Sequence, residues 1–174
     1  MNKRIIFLDI DGVLNSNFWN ESHQRKISDG SLIDAEKIRL LGEIVRRTSA
    51  DIVLHSGWRF WFNQDLEPNR KEAERLVELL ENEGLTISDI TPDLTTEEIR
   101  RTRKFSLVKA AEIFEWLKQH TEVEQWVVLD DLNLHNNELA KHQIKTNQAV
   151  GLTKEDVELA VTMLLSVKSS PWLK

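Results

Sequence analysis

The sequence predicts an α/β fold: a mainly parallel, five-stranded sheet with helices on both faces. Three observations predict it. Short apolar runs alternate with longer amphipathic ones in the order β-α-β-α-β-α-β-β-α, the main strand runs are continuously apolar, and polar residues cluster just beyond the strand ends. A chain of 174 residues is long enough to bury one good core and short for two, so a single domain spanning 1–174 is expected.

The first strand is the run Ile5-Ile6-Phe7-Leu8, which leads straight into Asp9-Ile10-Asp11-Gly12-Val13. Residues 15–31 are polar and aperiodic and read as a loop or small flap. Ala35, Ile38, Leu41 and Val45 repeat at helical spacing, predicting an amphipathic helix over 34–48. Ile52-Val53-Leu54 is too short for a helix and reads as a second strand ending at His55-Ser56-Gly57-Trp58-Arg59. Ala73, Leu76, Val77 and Leu80 predict a helix over 70–83, stopped by Gly84 at its C-terminal cap. Leu85-Thr86-Ile87 is the expected third strand. Leu107, Ala111, Phe114 and Leu117 mark a helix over 107–119, and Trp126-Val127-Val128-Leu129 a fourth strand running into Asp130-Asp131. Ile144-Lys145-Thr146 is a weak fifth strand, and a helix over 154–167 closes the pattern.

Composition narrows the function classes. With 40% hydrophobic and 30% charged residues the chain is of globular type. A net charge of -6 argues against strong nonspecific nucleic-acid binding, which depends on neutralising phosphates. The absence of cysteine removes disulfides, thiolate nucleophiles and zinc-thiolate sites. Lys3 and Arg4 precede an apolar run far shorter than a signal-peptide core or a membrane span, so a cytoplasmic protein with no membrane partner is expected.

In a parallel sheet the C-terminal strand ends share one edge, so Asp9, Asp11, Ser56, Asp130 and Asp131 converge there with Lys109. Clustered carboxylates repel one another unless a cation lies among them, and an all-oxygen donor set favours a hard ion such as Mg²⁺. Read singly, Ser56 serves equally as a helix cap, Lys109 as a solvated surface charge and Asp130-Asp131 as a loop. Trp58 and Trp61 read either as packing residues or as stacking surfaces for a base or sugar. The basic run 100–104 reads as a solvated helix end or a contact for an anion.

The four groups Asp9-Ile10-Asp11-Gly12-Val13, Ser56, Lys109 and Asp130-Asp131 together resemble the motifs of the haloacid dehalogenase (HAD) superfamily, across nearly the whole chain. Asn15, Ser56-Gly57-Trp58-Arg59, Lys109-Ala110-Ala111-Glu112-Ile113 and Gly151-Leu152-Thr153 resemble its small branch associated with RNA-repair proteins. That branch usually carries Ser and Arg where His55 and Lys109 stand here; lysine is the ordinary superfamily residue. The resemblance implies a three-layer Rossmann-like HAD fold with minimal or no cap, and a phosphatase acting through an aspartyl-phosphate. Asp9 would be the nucleophile and Asp11 the general acid and base. Ser56 and Lys109 would stabilise the transferring phosphoryl group, with Gly57 and Arg59 also binding substrate. Asp9, Asp130, Asp131 and the backbone carbonyl of Asp11 would hold Mg²⁺. The implied substrate is a phosphate monoester: a nucleotide, a nucleic-acid end or another phosphorylated molecule.

The alternative is a noncatalytic or phospho-accepting signalling or binding module with a HAD-like or receiver-like fold. In a receiver the phosphorylated aspartate ends a middle strand. Here the middle strand ends at Ser56, and the second acidic pair follows the lysine, an order that disfavours it.

Overall fold

A computed structural model describes residues 3–16 and 33–166. Its elements are β1 (Lys3–Leu8), α1 (Ala35–Thr48), β2 (Asp51–Leu54), a 3₁₀ turn (Gly57–Trp61), α2 (Lys71–Asn82), β3 (Ile87–Ile90), α3 (Glu97–Thr102), α4 (Ser106–Gln119), β4 (Val123–Asp130), α5 (Asn137–Ala140), β5 (Gln143–Lys145) and α6 (Lys154–Leu165). The strands form one sheet in the order β3-β2-β1-β4-β5, every pair parallel.

Side-chain alternation divides the core. Ile6, Leu8, Ile52, Leu54, Val127 and Leu129 pack on the face covered by α1, α2 and α6. Ile5, Phe7, Val53 and Val128 point the other way, against Ala110, Ile113 and Trp116 of α4. Both faces are therefore apolar, which is why the strands read as continuous runs. The Phe7 ring meets Trp116 edge to face at 5.3 Å, so that Trp116 is a packing residue of the second layer.

Helix ends follow local chemistry. Asp34 caps α1 by accepting from Glu36 N, and Thr153 and Asp156 form a reciprocal capping box at the start of α6. After α2, Gly84 N bonds Glu81 O at 2.9 Å and Leu85 N bonds Leu80 O at 2.8 Å, closing a Schellman motif around Gly84 at φ +71°. That motif corrects the expected third strand: Leu85 belongs to the helix cap, and pairing starts at Ile87. The fifth strand likewise begins and ends one residue earlier than expected, and α3, α5 and the 3₁₀ turn add to the expected element order. Residues 17–31 of the expected flap lie outside the described residues. No helix among the described residues is long and apolar enough to cross a membrane.

Candidate active site

Register builds the site. Leu8 pairs with Leu54 on one side and Leu129 on the other, so the next residues, His55, Asp9 and Asp130, stand in a row along the C-terminal edge of the sheet. Backbone bonds continue that row past the strands, from His55 N to Leu8 O at 2.7 Å and from Asp9 N to Leu129 O at 2.9 Å. Asp9 has the parity of Ile5 and Phe7, and Asp130 that of Val128, so both carboxylates lie on the face covered by α4. The first turn of α4 brings Lys109 to them: Nζ donates to Asp9 Oδ2 at 3.1 Å and to Asp130 Oδ2 at 2.5 Å. All three side chains are buried.

Asp131 completes the cluster. One carboxylate oxygen from each of Asp9, Asp130 and Asp131 lies within 4.8 Å of the others, close enough for a single metal ion. One ammonium faces three carboxylates, which leaves net negative charge in a mostly buried place. Burial pushes the Asp9 carboxyl up to about 6, with Lys109 pulling it down and Asp130 pushing it further up. Burial also raises Asp130 and Asp131. Burial alone would lower Lys109, but Asp9 and Asp130 outweigh it and hold the amine charged. An all-oxygen donor set with unbalanced negative charge fits a hard divalent cation.

The turn after Asp9 is shaped around this cluster. Gly12 has φ +78°, and a Cβ placed on it would lie 2.5 Å from Asp131 Cγ, so only glycine lets Asp131 sit where it does. Thr146 Oγ1 donates to Gly12 O at 2.7 Å, tying this turn to the end of β5. Asp11 stands apart from the buried trio. Its Oδ1 accepts from Asn15 Nδ2 at 2.9 Å and its Oδ2 from Trp58 Nε1 at 3.1 Å.

Ser56 lies two residues past the end of β2, almost fully buried, and its Oγ accepts from Trp58 N at 3.2 Å to cap the 3₁₀ turn. Both the cap and the placement at the strand end are thus present. Gly57 is exposed, with nothing within 4 Å of a would-be Cβ. Arg59, expected as a substrate ligand, is instead engaged within the protein. It is 6% exposed, and its Nη1 donates to Ser56 O at 2.9 Å while Nη2 donates to Glu112 Oε1 at 2.8 Å. Glu112 Oε1 also accepts from Leu94 N at 3.1 Å, so this buried pair ties the turn after Ser56 to α4 and to the segment after β3. Arg100 and Arg101 of the basic run lie in the last turn of α3 on the surface, with Arg100 bonded to Asp93.

The supporting roles of Glu112, Thr146 and Trp58 were not read from the sequence. Glu112 lies three positions after Lys109, so the two share a helix face, a signal visible in the spacing. Thr146 and the indole of Trp58 carried none, because their partners are remote in sequence. His55 is completely buried, its Nδ1 2.9 Å from Thr91 Oγ1; burial, with the cations Lys109 and Arg59, holds its pKa well below the ordinary value and keeps it neutral.

The family profile described as the HAD domain in Swiss Army Knife RNA repair proteins matches residues 5–157. The chain belongs to that family. No curated protein and no solved structure matches it. The matched span of this HAD domain runs from β1 into α6 and includes every residue of the constellation above. A HAD-type hydrolase is the general activity that membership supports.

Proposed function

We propose that the protein is a Mg²⁺-dependent phosphohydrolase that cleaves a phosphate monoester through an aspartyl-phosphate on Asp9. The observation that carries this reading is the buried Lys109 ammonium shared between Asp9 and Asp130, with an Asp131 oxygen within 4.8 Å of an oxygen of each. A single carboxylate lying against a lysine is an ordinary ion pair. Three carboxylates around one lysine, raised by burial, form a site suited to positive and phosphoryl charge together.

Asp9 attacks phosphorus in line, forming an Oδ–P bond as the bond from phosphorus to the leaving oxygen breaks. Asp11 gives its proton to that oxygen, then takes one from the water that attacks the aspartyl-phosphate, releasing inorganic phosphate and restoring the Asp9 carboxylate. Lys109 offsets charge on Asp9 and on the phosphoryl oxygens, and Ser56 and Gly57 border the space for that group. Asp9, Asp130, Asp131 and the Asp11 carbonyl would hold Mg²⁺, which supplies further positive charge against the phosphoryl oxygens when bound. Arg59 is assigned to bracing this frame rather than to the substrate, since its guanidinium is committed to Ser56 O and Glu112. The substrate class is a nucleotide, a nucleic-acid end or another phosphorylated molecule.

The test is hydrolysis of p-nitrophenyl phosphate with Mg²⁺. Activity that disappears both in Asp9→Asn and with a chelator supports the mechanism. Activity retained in Asp9→Asn overturns the nucleophile assignment.

A further inference from the structure

Asp11 is held by two groups of different origin. Asn15, four residues on, donates from Nδ2 to Oδ1 at 2.9 Å, and its own Oδ1 accepts from Gly12 N at 2.9 Å, which fixes the amide's orientation. Trp58 comes from the far side of the site, on the 3₁₀ turn after β2, and donates from Nε1 to Oδ2 at 3.1 Å. The indole is only 4% exposed and packs into the larger core cluster. Trp61 lies against it with ring centroids 4.7 Å apart, and Ser56 Oγ holds its backbone N–H. The ring therefore cannot turn without breaking its packing in the core and against Trp61.

An indole N–H is a donor only, and the Asn15 amide group facing Asp11 also donates. Both contacts therefore use the exposed Asp11 side chain as acceptor, one on each oxygen, and together they fix the plane of its carboxyl group.

We propose that Trp58 is a positioning residue for Asp11: its fixed, donor-only indole N–H orients the carboxyl so that its proton goes to the leaving oxygen of the substrate. The proposal rests on the phosphatase reading above. In the step concerned, the Asp11 O–H proton passes to the leaving oxygen while the bond from phosphorus to that oxygen breaks and the bond from Asp9 to phosphorus forms. Its chemical consequence is selective. An alkoxide leaving group needs the proton, whereas p-nitrophenolate departs readily without it, so loss of orientation weighs on alkyl esters.

Trp58→Phe keeps a ring and removes the N–H. Its kcat/KM is compared with wild type on β-glycerophosphate and on p-nitrophenyl phosphate, with Mg²⁺. The expected result is a fall in the alkyl-to-aryl ratio of about tenfold, the rate equivalent of one ordinary hydrogen bond. Asp11→Asn shifts the ratio in the same direction and further. Equal losses on both esters, or none, overturn the proposal and assign Trp58 to packing; if Asp9→Asn is then inactive, the phosphatase reading still stands. A wild-type protein that hydrolyses neither ester overturns both. A second readout needs no activity: the Trp58 indole proton should exchange with solvent faster in Asp11→Ala than in wild type, and an unchanged rate shows that the contact is absent.

Discussion

Gly12→Ala separates the cost of backbone conformation from the cost of moving Asp131. At φ +78° an alanine is strained by about 1–2 kcal/mol, as any L-residue is in the left-handed region. For a domain of this size that lowers Tm by roughly 2–8 °C. The added methyl would also lie 2.5 Å from Asp131 Cγ and 2.7 Å from Oδ2. Asp131 is half-buried, so its side chain swings outward and the clash is relieved at the expense of the third carboxylate. Gly84→Ala is the matched control, because φ is +71° there and no atom lies within 4 Å of the new carbon. Thermal melts of both variants with and without Mg²⁺ make the comparison. Mg²⁺ at a hundred times its Kd stabilises the native state by about 2.7 kcal/mol. Gly84→Ala should lose stability but retain the full Mg²⁺-induced rise in Tm, whereas Gly12→Ala should lose most of that rise. A Gly12→Ala protein with the wild-type Mg²⁺ response would refute the placement of Asp131 at the ion.

Three further outcomes follow from the same geometry. Because the Asp9 carboxyl is raised from 3.8 to about 6 in the folded chain, the native state binds more protons than the unfolded one across that interval. Metal-free stability should therefore fall as pH rises from about 4 to 6, and added Mg²⁺ should stabilise more at pH 7 than at pH 5; melts that show the opposite slope would refute it. Arg59→Met leaves Glu112 as a buried, unpaired charge and should cost about 3–5 kcal/mol by urea unfolding, with a smaller loss when Glu112→Gln is added. Thr153→Ala removes the capping box of α6 and should cost about 1 kcal/mol without changing the ratio of activities on different esters.

Local chemistry made much of this molecule readable. The strand Ile5–Leu8 announces burial on both faces because every residue is apolar, and Gly84 announces the end of α2 because a left-handed cap suits glycine. The Schellman motif then hid the true start of β3: Leu85 is apolar in either role, and only the bond to Leu80 O tells cap from strand. At the site, Asp9, Lys109 and Asp130 could be gathered on one edge from strand order alone. Arg59 could not be read so well, since a sequence shows an arginine but not the carboxylate 53 positions away that draws it inward. Trp58 offered two apolar readings, packing and stacking, while its polar role depends on Asp11, 47 positions earlier.

The central place of β1 has a consequence for how the molecule comes into being. In the order β3-β2-β1-β4-β5, everything up to β3 builds only one half of the sheet, and β1 forms its open border until β4 has been made. A chain that stops before α4 would carry Asp9 and Ser56 but neither Lys109 nor Asp130. It would also present Ile5–Leu8 as an unpaired, wholly apolar edge, the kind that recruits other chains. On a ribosome, the proposed nucleophile and the stickiest strand are thus neighbours in one short segment, and both are brought under control by a single late event, the docking of β4.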